Sequence, residues 1–169
     1  MMAAGQGMLA MEVLLANGTD VNARTKDGAN VLMIAVALRT VEAIKLLLDK
    51  GADVDARTKQ RWTVLMGAAQ CGMVEAIELL LAKGADVDAR DEHDWTALMA
   101  AAKHGEVEAI KVLLANGADV DVRKHDDRTA LIVAAQNGNM EAMELLLAKG
   151  ADVDAHDEHG WRAHDGGGS

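Results

Sequence analysis

One short segment returns along this chain at a fixed interval, and that recurrence limits the fold more than any other feature. Residues 51–57 read GADVDAR, repeated at 84–90, then GADVDVR at 117–123 and GADVDAH at 150–156, each copy starting 33 residues after the last. A weaker copy, GTDVNAR, occupies residues 18–24 in the same register. Such a period implies a stack of similar units, none able to bury its apolar face alone. Cutting in this register predicts full units at 25–57, 58–90, 91–123 and 124–156, with partial units at 1–24 and 157–165. The Gly/Ser tail, 166–169, reads as a flexible linker outside the fold.

Each unit carries two helical stretches. Thr63, Thr96 and Thr129, with Asn30 in the first full unit, stand where a side-chain oxygen can accept from the unpaired N–H groups of a first helical turn. Ala-rich segments such as LMGAAQCG follow, closed by Gly72 or Gly105, which admit a left-handed cap. The second stretch, such as VEAIELLLAK, has Glu in its first turn and Lys expected in its last, both favourable to the helix dipole. At about nine or ten residues each, such helices are too short to persist alone, so stacking of Leu79, Leu80, Leu81 and their counterparts must supply the stability. Composition agrees: half the residues are hydrophobic, yet Trp is the only aromatic type, so thin layers of small aliphatic side chains are expected.

With its period of 33 and two helices per unit, the chain resembles the ankyrin-repeat family. The family pattern, D-x-x-G-x-T-P-L-H-x-A-A followed by a Gly and a Leu-rich helix ending in G-A-D-V-N-A, is matched here by Asp91, Thr96, Leu98, Ala101, Ala102, Gly105, Leu113, Leu114 and residues 117–120. The resemblance covers residues 8 to about 161 and implies an all-α solenoid of helix-turn-helix units joined by hairpin-like loops. The chain departs from the pattern where Val31, Val64, Ala97 and Ala130 replace the Pro, and where Met33, Met66, Met99 and Ile132 replace the His. Those replacements are similar to the T-A-L-M form of bacterial ankyrin proteins. The regular repeats and the absence of Pro, Phe and Tyr suit an engineered ankyrin-repeat chain equally. The turn glycine persists as Gly28 and Gly160 but becomes Arg61, Asp94 and Asp127 elsewhere, and strain or rearrangement is expected at Arg61.

The resemblance also implies function. Family members hold partner proteins against the hairpin tips and the inner face of the first helices. Carried over by position, that surface is Arg57, Lys59, Gln60 and Trp62, then Arg90, Glu92, His93 and Trp95, then Arg123, His125, Asp126 and Arg128. His156, His159 and Trp161 complete the row, with Lys103 and His104 on the helix edge beside Gln70 and Cys71. These positions vary between repeats that otherwise agree. Each Trp is read first as packing on the next hairpin and second as an anchor for a partner. The Arg row at 24, 57, 90 and 123 alternates with Asp55, Asp88 and Asp121, which suits a solvated ladder of opposite charges better than a phosphate track.

The remaining signals point away from other classes. A formal charge of −10 disfavours nucleic acid and anionic membranes. One cysteine, Cys71, precludes an internal disulfide, and no apolar run approaches the ~20 residues of a membrane span, so a soluble, intracellular protein is expected. The His156 and His159 pair is the nearest approach to metal-ligand spacing. Asp86, Asp88 and Asp91 fail the calcium-loop pattern at its Gly and Glu positions. No phosphate loop, dinucleotide fingerprint or nucleophile elbow occurs, so no enzyme and no cofactor are expected. Apolar Met2, Met8, Leu9 and Met11 near one end, and an interrupted repeat at the other, leave a second option: a building block that associates with itself end to end.

Overall fold

The structure is a computed structural model, and it describes residues 20–167. Four helix pairs follow one another. They are α1 (Val31–Ala37) with α2 (Val41–Asp49), α3 (Val64–Gln70) with α4 (Val74–Ala82), α5 (Ala97–His104) with α6 (Val107–Ala115), and α7 (Ala130–Gln136) with α8 (Met140–Ala148). A 3-10 helix, Ala163–Gly167, closes the described chain. The first helix of each pair has seven or eight residues and the second has nine, so the first is shorter than its pattern predicts.

The predicted caps are formed. Asn30, Thr63, Thr96 and Thr129 accept from the backbone N–H of Met33, Met66, Met99 and Ile132 at 3.0, 3.2, 3.3 and 3.4 Å. Each first helix ends on a left-handed residue, at Gly72, Gly105 and Gly138 but at Arg39 in the first pair, where φ is +56°. A Cβ at Gly72 would meet the Glu106 carboxylate from the next pair and displace that side chain, while the positive φ is what calls for glycine. Lys50, Lys83 and Lys149 sit one residue beyond the second helices, at the C-caps and not in the last turn as expected.

Two rows result. The inner row runs α1, α3, α5, α7 and the 3-10 helix, and the outer row runs α2, α4, α6, α8, each helix touching the next in its row. Leu65, Met66, Leu98, Met99, Leu131 and Ile132 of the inner row and Ile44, Ile77, Leu80, Ile110 and Leu113 of the outer row are fully buried between the two. Ala68, Ala69, Ala101 and Ala102 let inner helices approach closely, while Leu-rich outer helices hold their row wider, and so the inner row forms the concave side.

The loops joining the pairs are stitched by a repeated hydrogen bond. Asn22, Asp55, Asp88 and Asp121 accept from the backbone N–H of Asp53, Asp86, Asp119 and Asp152 in the following unit, at 2.7, 3.1, 3.0 and 2.9 Å. This assigns Asp55, Asp88 and Asp121 a different part from the one expected. Their carboxylates face backbone amides, and the Arg row pairs elsewhere: Arg24 with Asp53 at 3.0 Å, Arg57 with Asp86 and Arg123 with Asp152 at 3.9 Å. Arg90 turns to Asp94 in its own tip, 3.8 Å away. The ladder is therefore one of opposite charges, built between units. Asp154, the same position in the last copy, meets Arg162 at 3.6 Å instead.

Candidate protein-interaction surface

Hairpin tips project from the edge of the inner row, and each needs an acceptor to hold its turn. Thr58 Oγ1 accepts from the Trp62 N–H at 3.1 Å. Asp91 Oδ1 accepts from His93 and Trp95, both at 2.8 Å, and Asp157 Oδ1 from His159 and Trp161 at 3.0 and 2.9 Å. The fourth tip has Lys124 in this place, and the acceptor moves two residues on, to Asp126. Asp126 takes the Arg128 backbone N–H at 3.4 Å, the Arg128 guanidinium, and the Lys124 ammonium at 3.0 Å. Hydrogen bonds from Arg128, then from Lys124, hold the Asp126 carboxyl well below the usual carboxylate range, against the opposing pull of its partial burial. Arg128 continues to Gln136 at 3.0 Å.

Turn geometry follows the expectation for Arg61. It is held at φ +63°, with Asp94 and Asp127 at +59°, all in the left-handed region that Gly28 and Gly160 occupy in their tips. The turn is kept and the strain is accepted.

Trp62 and Trp95 lie half-buried against the core, and Trp161 is half-buried at its tip. The Lys103 and Lys124 ammonium groups stand 5.5 and 5.2 Å from the Trp95 ring centroid, so this ring is gripped by two cations. Trp62 instead lies over α3, where Gly67 leaves room: a Cβ there would stand 3.7 Å from the indole nitrogen. The pairing of tip and helix residues is inverted in the first full unit. Large tips face small helix residues (Trp62 with Gly67, Trp95 with Ala100), while Ala29 is matched with Ile34.

Two adjoining cavities open on the concave side around Trp62. The first, of about 380 Å³, has Ala29, Met33, Ile34 and Ala37 on one wall and Trp62, Gly67, Gln70 and Cys71 on the other. The second, about 230 Å³, lies between Trp62 and Trp95 and is lined also by Gln70, Asp91, His93, Lys103 and His104. Trp62 and Gln70 belong to both. Of the predicted residues, Trp62, His93, Trp95, Lys103 and His104 come together here.

The others do not join these cavities. Lys59, Gln60 and Glu92 are exposed on their tips, Arg57 and Arg123 are engaged in the ion-pair ladder, and Arg90 pairs with Asp94. His125 lies 3.1 Å from Asp94 and bridges two tips, while Asp126 and Arg128 form the fourth tip's own network. His156 sits 3.4 Å from the Asp154 carbonyl, and His159 lies beside Glu158 at 3.6 Å. Cys71 and His104 line different cavities. Carboxylates that superficially suggested calcium are engaged with backbone amides, Asp86 with Asp88, Asp88 with Asp119, and Asp91 with its tip.

Sequence reasoning missed Ile34, Ala37, Gly67 and the buried Lys124. A signal was present: Ala29 and Ile34 invert the size pairing seen at Trp62 and Gly67. Among the described residues no helix is long and apolar enough to cross a membrane, and no cluster of three metal-ligating side chains occurs. No curated protein matches the chain significantly. The family model described as ankyrin repeats (3 copies) matches residues 1–91 and again 88–157, and families of this kind are in general non-enzymatic protein-interaction modules. With helix pairs, left-handed tips and family match in agreement, the chain belongs to the ankyrin-repeat family.

Proposed function

We propose that the chain is a non-catalytic module that holds a partner protein against its hairpin tips and concave inner-helix face. The observation that carries this reading is the pair of adjoining cavities around Trp62, an indole with room on both sides. Half-buried Trp at the centre of a patch is the side chain whose truncation most often costs binding. The units 58–156 and the tip at Trp161 supply the surface. A quantitative pull-down with a verified partner tests it: Trp62→Ala, Trp95→Ala and Arg128→Ala should each reduce capture, and capture unchanged by all three would remove this surface from consideration.

A second reading has its own support at the C-terminal end. Met140, Leu147 and Val153 are 63%, 41% and 50% exposed, whereas Val107, Leu114 and Val120, one repeat earlier, are partly covered by the next pair. An outer row left open in this way suits end-to-end association. Its intended mate, the apolar group at Met2, Met8, Leu9 and Met11, lies outside the described residues. Light scattering over a concentration series tests it, and a mass that stays monomeric at high concentration would remove it.

A further inference from the structure

The first cavity is apolar inside, and the segments that lead away from its walls carry Arg and Lys. The tip that supplies Thr58 and Trp62 to it also carries Arg57, Lys59 and Arg61, and residues 57–61 contain no acid. At its other end Ala37 leads directly to Arg39. Both Arg39 and Arg61 sit at positive φ, 56° and 63°, where the equivalent positions elsewhere include Gly72, Gly105 and Gly138 for one and Gly28 and Gly160 for the other. A β-carbon in that region is strained, and strain of this kind collects where a side chain is needed. The acid closest in sequence on the first tip, Asp27, is offset by its neighbour Lys26. The last tip is the reverse: residues 156–160 hold Asp157 and Glu158 and no Lys or Arg. In a chain of formal charge −10, Arg39, Arg57, Lys59 and Arg61 thus lie within two residues in sequence of positions that line this apolar cavity.

We infer that the cavity between α1 and α3 takes an apolar side chain from an extended, acidic segment of the partner protein. This rests on the interaction surface proposed above and specifies the chemistry of its occupant. An aliphatic or aromatic anchor would enter between Ile34 and Trp62, and flanking carboxylates would meet Arg61 and Arg39. The adjoining cavity has Lys103 and His104 on its wall, and its one carboxylate, Asp91, is engaged by the backbone of its own tip. Neighbouring helices pack about 10 Å apart, a distance an extended chain covers in about three residues. The recognised sequence is therefore an apolar residue with Asp or Glu about three positions away. Such pairing should also make association faster at low salt.

The test is selection from a random linear peptide library displayed on phage, with the full chain immobilised. Enriched sequences should share an apolar residue and an acid at that spacing. The synthetic consensus peptide should lose at least about tenfold in affinity on Ala37→Trp, which fills the cavity from an exposed helix position, and on Arg61→Glu. It should also slow alkylation of Cys71, the only cysteine, which lines the cavity wall. Circular dichroism of both variants checks that helices remain, and Arg61→Glu alone suffices if Ala37→Trp disturbs them. Enriched peptides that lack acids, or that bind both variants normally while losing affinity to Arg128→Ala, would overturn the inference and leave the wider surface standing. No enrichment over an unrelated protein would count against both.

Discussion

Among the described residues, four other than glycine hold φ between 56° and 63°: Arg39, Arg61, Asp94 and Asp127. All are charged, and each occupies a place where the repeat pattern has glycine in other copies. Arg61→Gly should therefore stabilise the chain by about 0.5–1 kcal/mol, read from urea unfolding, even as it removes a cation from the cavity rim. Asp126 is the converse case, a residue that relieves strain in its surroundings. It neutralises Lys124, which is only 8% exposed, and it holds the fourth turn. Asp126→Asn should cost about 1–3 kcal/mol, since a mostly buried ammonium loses its counter-charge. Because the folded-state pKa is depressed, the stability difference between wild type and variant should be complete above about pH 4 and shrink as pH falls below it. A difference that instead grew in acid would show that another group holds Lys124. Strain at Arg61 is legible in the sequence, because the glycine it replaces recurs in register. The Asp126 network is not, because the sequence does not say that a displaced acceptor two residues downstream can complete the same turn.

Elements here are short, and their ends decide them. Thr63, Thr96 and Thr129 were readable as caps because a hydroxyl or amide oxygen before an apolar run has one efficient use. Thr96→Ala should lower stability by about 1 kcal/mol, measured by thermal or urea unfolding. The lysines after the outer helices were displaced by a residue from their expected turn, a difference that periodicity cannot resolve when a helix has only nine residues. Contacts between one unit and the next were hidden for a different reason: they join residues 29 to 37 positions apart. Glu106 over Gly72 is an instance. Gly72→Ala should destabilise the chain chiefly through its φ of +61°, with a smaller part from displacing the Glu106 carboxylate. Adding Glu106→Ala should return part of that loss, so a double-mutant cycle should give a non-additive coupling of about 0.5 kcal/mol or more. Strict additivity would assign the whole effect to φ.

For the whole molecule, stability is a sum over neighbours. One continuous core runs through all four pairs, and each pair buries its apolar side chains mainly against the one before and the one after. Amide hydrogen exchange should therefore be slowest in α3 to α6 and faster in α8, whose outer side carries exposed Met140 and Leu147. Uniform protection from α1 to α8 would mean that the stack unfolds as one unit. The solenoid and its curvature follow from the repeat and from alanine in one helix against leucine in the other, so architecture was legible at this scale. The cavities were not, because they arise from what one repeat lacks relative to the next: Ala29 leaves the space that Trp62 and Ile34 enclose.

The bond from each Asp55-type side chain to the amide of the following unit gives the array a direction. Every unit brings an acceptor for its successor and an amide for its predecessor. A duplication or deletion of one 33-residue stretch, wherever the cut falls in register, therefore leaves each remaining joint with both of its halves. Array length can change in evolution without any new seam having to be invented, and the surface at the tips can vary independently of the bonds that keep the units in line.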